Sequence, residues 1–162
     1  MTGLTVRPFQ PGDETALTGV LNAIIAAGGT TAYETPFTPE GLRAAHLDGD
    51  RVLCCHVVLE GGDPVGFQVL NANPRLPAGW GDIATFTRRD PPVRGAGTAL
   101  FAATRARARA MALQTLNATI RADNVPGLAY YAKMGFVDYA VISGVPLSDG
   151  TPVDRIQRKI TP

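Results

Sequence analysis

A glycine-rich segment in the second half of the chain decides the fold, and it reads Phe86-Thr87-Arg88-Arg89-Asp90-Pro91-Pro92-Val93-Arg94-Gly95-Ala96-Gly97-Thr98-Ala99-Leu100. The residues before it predict a strand over Asp82–Thr87, and the alanine-rich run after it predicts a helix over Thr98–Met111. Glycines let backbone N–H groups approach a ligand closely, and a helix start adds unpaired N–H donors. The segment therefore predicts an anion site suited to phosphate, although such loops also occur for purely structural reasons.

This segment differs from two common phosphate-binding loops. It lacks the Gly-Lys-Ser/Thr ending of a Walker loop, and its spacing is not Gly-x-Gly-x-x-Gly. A helix dipole contributes only ~0.3–1 kcal/mol, whereas each charged hydrogen bond adds ~1.5–3 kcal/mol. Binding would therefore depend on several converging backbone amides.

A second motif follows, and it reads Asn124-Val125-Pro126-Gly127-Leu128-Ala129-Tyr130-Tyr131-Ala132-Lys133-Met134-Gly135-Phe136. It predicts a short helix over Val125–Met134 that ends at Gly135. Tyr131 is a candidate proton donor, and its alternative role is that of a core aromatic side chain. Tyr130 fits the purely structural role better.

The remaining segments predict further strands and helices. A first helix is expected between Asp13, as N-cap, and Gly28, and a second begins with Thr38 as cap and Pro39 at its first position. Besides Asp82–Thr87, the predicted strands are Leu4–Phe9, Arg51–Glu60, Val65–Leu70, Thr115–Arg121, Phe136–Ile142 and Val153–Ile160. This order predicts an α/β sandwich around a mixed sheet, and the length of 162 residues fits a single domain over residues 1–162.

Composition narrows the function classes. The net charge of +1 argues against nucleic acid as the main partner, because phosphate backbones require a concentrated basic excess. No apolar run approaches the length of a membrane span, and no signal peptide is expected. Cys54 and Cys55 are interpreted as reduced core thiols on opposite faces of a strand, which favours a cytoplasmic protein. No metal site is expected, since His46 and His56 are the only histidines, and His56 is interpreted as structural.

Both motifs resemble those of the GNAT acyltransferase superfamily. The first matches its acyl-CoA pattern Gln/Arg-x-x-Gly-x-Gly/Ala through Arg94–Ala99, and the second matches Asn-x-x-small-x-x-x-Tyr-x-x-x-Gly-Phe at every offset. The resemblance implies a GNAT-like, mostly antiparallel central sheet of about seven strands with helices on both faces. It also implies acetyl-CoA as the acyl donor.

The resemblance assigns roles residue by residue. The loop amides would bind the CoA pyrophosphate, the edge of the preceding strand would pair with the pantetheine arm, and Asn124 would contact that arm. Tyr131 would protonate the departing thiolate. The implied cofactor-binding residues are Phe86, Thr87, Arg94, Gly95, Ala96, Gly97, Thr98, Ala99 and Asn124. The loop after Thr87 is about two residues longer than is common in the family, so Arg88 and Arg89 either contact CoA phosphates or are solvated loop charges.

The acceptor side is less defined by the sequence. Asp82 is the first candidate general base and Glu34 the second, while the alternatives are a strand-edge Asp and a helix-flanking Glu. The segment Gly28–Pro39 faintly resembles phosphinothricin-type and related small-amine acetyltransferases, which favours a small amino compound over a protein tail as acceptor. In the family the region between the first two helices lines the acceptor pocket, which implies Tyr33 and Glu34 as substrate-binding residues. The expected activity is acetyl transfer to a primary amine of a small molecule, with a carboxylate or water as base. The alternatives are a non-catalytic acyl-CoA sensor or assembly domain, and acetylation of a protein amine. A homodimer through Val153–Ile160 is also expected.

Overall fold

Seven strands form one mixed sheet in the computed structural model, which describes residues 3–162. In chain order they are β1 (Leu4–Pro8), β2 (Val52–Glu60), β3 (Asp63–Asn71), β4 (Trp80–Thr87), β5 (Thr115–Arg121), β6 (Val137–Pro146) and β7 (Pro152–Ile160). Their spatial order is β1-β2-β3-β4-β5-β7-β6. Every neighbouring pair is antiparallel except β4 and β5. The predicted mostly antiparallel sheet is therefore confirmed.

Helices cover both faces of this sheet. They are α1 (Glu14–Ala27), α2 (Pro39–Leu42), α3 (Ala96–Ala110) and α4 (Val125–Met134), and five π-helical residues (Arg43–Leu47) follow α2 directly. Leu17 and Leu21 of α1 pack with Phe67 on one face, and Phe101 of α3 packs with Phe136 and Tyr131 on the other. None of the helices in residues 3–162 is long and apolar enough to cross a membrane.

The starts of α1 and α2 differ in how they are capped. The hydroxyl of Thr38 accepts a hydrogen bond from the Gly41 amide, as predicted. Asp13 stands at the N-cap position of α1, but its side chain makes no capping bond there. Its carboxylate instead forms a two-bonded ion pair with Arg7, at 2.7 and 2.9 Å. Asp13 is therefore the N-cap residue of α1, as predicted, while its side chain is held by Arg7 instead of bonding an amide of the first turn.

The two adjacent cysteines lie on opposite faces of β2. Cys55 packs in the core beneath α1, and Cys54 lies against the cluster on the α3 side. Burial raises the pKa of the Cys54 thiol to about 11 and also raises that of Cys55. Both thiols are free and protonated at neutral pH, in agreement with their interpretation as structural core residues.

A gap opens between β4 and β5. The two strands pair only where Trp80, Gly81 and Asp82 face Thr115–Asn117. Beyond Asp82 the strands diverge, so the β4 edge that faces β5 has no ladder partner from Ile83 to Thr87. By contrast, β7 is paired on both sides, with β5 and with β6. The opening in the sheet is therefore at its centre.

Candidate active site

The glycine-rich loop ends in the first turn of α3. Gly95 precedes the helix in the left-handed region, with φ of 82°. The Ala96 amide bonds the Val93 carbonyl, whereas the amides of Gly97 and Thr98 have no hydrogen-bond acceptor within residues 3–162. These free donors, together with the positive end of the helix dipole, make the anion site that the sequence predicts. The α3 helix begins two residues earlier than predicted, so Ala96 and Gly97 belong to it.

Gly97 is packed tightly against Tyr130 of α4. A Cβ at this position would lie 2.6 Å from Cε1 of the Tyr130 ring. The Tyr130 hydroxyl donates a 2.7 Å hydrogen bond to the Gly97 carbonyl and accepts one of 3.0 Å from Gln68 Nε2. Tyr130 is therefore more than a core aromatic residue, because it joins α4 to the start of α3.

Tyr131 is buried, and its hydroxyl lies 2.9 Å from Thr85 Oγ1 on β4. Gln68 Nε2 donates to the same Thr85 oxygen at 2.8 Å. A Thr85 proton directed at Tyr131 leaves the phenolic proton free to be donated to a ligand. Burial raises the pKa of Tyr131, with smaller contributions from Tyr130 and Asp82, so the hydroxyl is protonated at neutral pH.

Asn124 is the N-cap of α4 and lines the same two cavities as Tyr131. Its Oδ1 accepts a 3.0 Å hydrogen bond from the Gly127 amide. A Cβ at Gly127 would lie 2.4 Å from the Asn124 amide nitrogen, which explains why a glycine is needed there. The Nδ2 group makes no hydrogen bond within the described residues, so it can donate to a ligand.

Two cavities meet at Tyr131. The loop cavity, of about 390 Å³, lies between the glycine-rich loop and α4, and its lining includes Thr87, Gly97, Asn124 and Tyr131. The central cavity, of about 570 Å³, extends from Tyr33 and Asp82 across β5 to β7. A third cavity, of about 700 Å³, shares Tyr33 and Asp82 with the central one and continues it outward. Tyr131 and its hydrogen-bond partner Thr85 are therefore part of the wall that the loop and central cavities share.

Asp82 lies where β4 leaves β5. Its Oδ1 accepts a 2.9 Å hydrogen bond from Asn117 Nδ2, and its Oδ2 accepts one of 3.1 Å from Asn73 Nδ2. Each carboxylate oxygen retains a lone pair, and the residue lines the central cavity. The arrangement fixes a carboxylate beside the cavity without neutralising its charge.

Tyr33 is joined to a buried histidine that sequence reasoning missed. Asn71 Nδ2 donates to the Ala45 carbonyl and to His46 Nδ1, at 3.3 and 3.1 Å. Burial lowers the pKa of His46 to about 4, so the ring is neutral at pH 7. Since Asn71 Nδ2 can only donate, His46 Nδ1 is assigned as the acceptor and Nε2 as the protonated nitrogen. Nε2 lies within hydrogen-bond distance of the Tyr33 hydroxyl oxygen. The Tyr33 proton is then free to be donated into the central cavity.

Glu34 points elsewhere. Its two carboxylate oxygens accept 2.8 Å hydrogen bonds from the Ser148 amide and hydroxyl, in the turn between β6 and β7. The side chain is exposed, and Glu34 is not part of the lining of the central cavity. The structure therefore brings Asp82, Tyr33 and Tyr131 together but leaves Glu34 outside.

The predicted cofactor-binding residues at the end of β4 and in the loop after it differ in which cavity or partner their side chains contact. Thr87 lines the loop cavity, whereas the buried Phe86 ring packs against Phe67, and Phe86 lines the central cavity. Arg88 forms an ion pair of 3.1 Å with Glu60. Arg94 is exposed, and Arg89 lines both the loop and central cavities.

The three residues that sequence reasoning missed as site residues are Thr85, Gln68 and His46. Thr85 had one available signal, since alternation along β4 puts positions 85 and 87 on one face. Gln68 and His46 had none, because their roles depend on strand register and on the π-helical turn. No group of three or more His, Cys, Asp or Glu residues suited to a metal ion occurs between residues 3 and 162.

This sheet, split at its centre beside a helix start, is the arrangement expected of a GNAT-type fold. The family model described as "Acetyltransferase (GNAT) family" matches residues 23–136, which is more than half of the chain. The chain belongs to the GNAT acetyltransferase family. None of the curated proteins compared with it matches at a significant level.

Solved structures share the fold at low identity. A GNAT superfamily phosphinothricin acetyltransferase from Sinorhizobium meliloti in complex with acetyl-CoA is 18% identical, with a TM-score of 0.84 over 98% of this chain and 88% of that one. A ribosomal-protein-alanine N-acetyltransferase from Brucella melitensis is 18% identical, with a TM-score of 0.82 over 98% and 99% of the two chains. An N-acetyltransferase from Staphylococcus aureus Mu50 is 17% identical, with a TM-score of 0.83 over 98% of each chain. The first two proteins are named for acceptors of different kinds, so the shared fold does not select one.

Proposed function

We propose that this protein is an N-acetyltransferase that moves an acetyl group from acetyl-CoA directly to a primary amine of a small molecule. The observation that carries the proposal is the position of Tyr131, a buried residue that lines both the loop and the central cavities. The loop cavity would take the donor and the central cavity the amine. A protein that only binds acyl-CoA has no need for a proton donor between two compartments.

The donor side fits CoA on several counts. The free amides of Gly97 and Thr98 suit a pyrophosphate, with Arg94 exposed nearby. The unpaired edge of β4 from Ile83 to Thr87 suits a pantetheine arm that adds to the sheet as an extra strand. The Nδ2 of Asn124 would donate to that arm. When bound, acetyl-CoA supplies the acetyl group as an activated thioester.

The chemistry requires one proton donor and one proton acceptor. Tyr131 would give its proton to the departing sulfur through a hydrogen bond, and burial, which raises the pKa of Tyr131, keeps the hydroxyl protonated until the thiolate forms. The amine must react in its neutral form, and at pH 7 an amine of pKa ~10.4 is about 0.04% neutral, a handicap of ~4.6 kcal/mol. Asp82 would take the amine proton, directly or through water, because its carboxylate lines the central cavity.

A screen of primary amines with acetyl-CoA, read by thiol release, tests the proposal. We expect turnover with at least one small amine and none with CoA alone. Turnover confined to peptides with free amines would favour a protein acceptor instead. Binding of CoA without turnover on any amine would favour the sensor or assembly reading.

We also propose a homodimer, with the contact on β6 rather than on β7. The predicted segment Val153–Ile160 lies inside the sheet as β7, and both of its edges are paired. The edge strand β6 instead exposes Val137, Val141 and Ile142, at 59%, 57% and 43% of their surfaces. Sedimentation of the wild type and of a Val141→Asp variant tests this, and a wild type that remains monomeric at high concentration contradicts it.

A further inference from the structure

Arg155, on β7, is a buried cation that has no counter-ion among residues 3–162. Its exposed fraction is 8%, and its buried Nε has no hydrogen-bond partner in that part of the chain. Across residues 3–162 its guanidinium takes part in no ion pair. A buried charge is unfavourable unless it is paired and hydrogen-bonded. This side chain lines the central cavity, so a ligand in that cavity can reach it.

The neighbouring Arg121 makes the contrast clear. Arg121 and Arg155 are directly opposite each other on β5 and β7. Arg121 is 7% exposed, but Asp123 accepts two hydrogen bonds from it, at 2.9 and 2.7 Å, and the Thr31 carbonyl accepts a third at 3.0 Å. The charge of Arg121 is therefore balanced by the Asp123 carboxylate, whereas no carboxylate among the described residues forms an ion pair with Arg155.

The surroundings of Arg155 do not compensate for its charge. Burial and the positive charge of Arg121 lower its pKa, although Asp123 and Glu34 act in the opposite direction. Both of those carboxylates are already engaged, Asp123 by Arg121 and Glu34 by Ser148. Like charges placed directly opposite on two strands are also destabilising. What the site lacks is an anion.

The charges around the central cavity are unequal. Its lining contains four arginines and one carboxylate, that of Asp82; the arginines are Arg75, Arg89, Arg121 and Arg155. Such a cavity repels polycationic ligands and attracts anionic ones. A ligand with a single ammonium group is still tolerated, because that group can pair with the one carboxylate of the lining, Asp82. A polycation has no second carboxylate to pair with in this lining.

We propose that the acceptor amine carries an anionic group, a carboxylate or a phosphonate, which pairs with Arg155 on the β7 side of the central cavity. The inference rests on the proposed acetyltransferase activity, because it assumes that the acceptor occupies this cavity. Arg155 is then a specificity-determining residue that orients the acceptor, while Tyr131 and Asp82 act at the reacting end. Diamines and other polycations are poor acceptors.

Equilibrium binding tests the inference without relying on turnover. The probes are glycine, β-alanine, γ-aminobutyrate and aminoethylphosphonate, each carboxylate with its carboxamide, titrated calorimetrically into the CoA-bound protein. We expect at least one carboxylate probe to bind the wild type about 10-fold or more tightly than its carboxamide, which keeps the ammonium group but lacks the anion, as a charged hydrogen bond implies. The preference is lost in Arg155→Gln, partly kept in Arg155→Lys and unchanged in Arg109→Gln, an exposed α3 control. No anion preference, or one that survives in Arg155→Gln, overturns the inference.

Stability and turnover separate the remaining explanations. Without a probe, Arg155→Gln should melt no lower than the wild type, because it removes an unpaired buried charge. A much lower melting temperature in both Arg155→Gln and Arg155→Lys would show a structural role and overturn the inference. Equal kcat/KM for acids and amides would overturn the inference but leave the proposed activity intact. Arg155-dependent anion binding without turnover on any amine would support the anion site and contradict the activity.

Discussion

The Tyr130 hydroxyl donates a 2.7 Å hydrogen bond to the Gly97 carbonyl, while the Tyr130 ring occupies the space that a side chain at position 97 would need. The glycine therefore serves two purposes. It keeps the backbone open to a ligand in the loop cavity, and it lets α4 approach the first turn of α3. These two purposes can be separated by experiment.

Gly97→Ala should weaken CoA binding by about 10-fold and lower the melting temperature. The added Cβ would lie 2.6 Å from Tyr130 Cε1, so α4 or the start of α3 must move. Calorimetric titration with CoA and thermal unfolding check both effects. The double variant Gly97→Ala/Tyr130→Ala tells the causes apart. Recovered CoA binding identifies the clash with the ring, whereas no recovery shows that the methyl group obstructs the ligand itself.

Tyr131→Phe should lower kcat by about 100-fold, as expected for loss of a general acid, with little change in CoA affinity. The ring remains to fill its place in the core against Phe136. Burial raises the pKa of Tyr131, so the phenol is protonated below that pKa and the wild-type rate should show no loss from its ionisation near pH 8. Tyr130→Phe is the matched control and should retain most of kcat. An unchanged kcat in Tyr131→Phe would remove this residue from the mechanism.

Asp82→Asn should lower kcat most at neutral pH and less in alkaline solution. The base is needed only while the amine is protonated, so the deficit shrinks as the pH approaches the amine pKa of ~10.4. Steady-state rates from neutral to alkaline pH check this. Glu34→Gln is the comparison variant, since Ser148 binds that carboxylate outside the cavity, and it should change kcat little. A larger loss in Glu34→Gln than in Asp82→Asn would exchange their assignments.

The sequence predicts those parts of the site that are local in the chain. Asn124 and Gly127 meet because they are three residues apart at a helix start, so the motif alone predicts their contact. Gln68 and Tyr130 are 62 residues apart, and their hydrogen bond depends on the register of β3 and the docking of α4. Arg155 has no motif at all. Arg155 is singled out by its burial and by the pairing of Asp123 with Arg121 instead of with Arg155. Both features depend on how the strands pack in the sheet.

At the start of α1, the partner of the Asp13 carboxylate also depends on packing, and this pairing yields a prediction about acid stability. Local pattern predicts a capping carboxylate, but Arg7 on β1 binds both of its oxygens. That hydrogen-bonded pair, against a smaller effect of burial, lowers the pKa of Asp13. A carboxyl group whose pKa is lower in the folded protein stabilises it above the unfolded pKa of ~3.9, and this contribution is lost as the pH falls through the folded pKa.

Asp13→Asn should therefore lower the free energy of unfolding by ~2 kcal/mol at pH 7, the range of a charged hydrogen bond in a partly buried site. The difference between variant and wild type should shrink as the pH falls from ~3.9 and vanish below the lowered pKa of Asp13 in the folded protein, where the wild-type carboxyl is also protonated. Urea unfolding from neutral to acid pH measures both. Asp50→Asn, at an exposed carboxylate that forms no ion pair among the described residues, should leave the curve unchanged. An Asp13→Asn deficit that is equally large in acid would mean that the side-chain volume, not the charge, is what stabilises the start of α1.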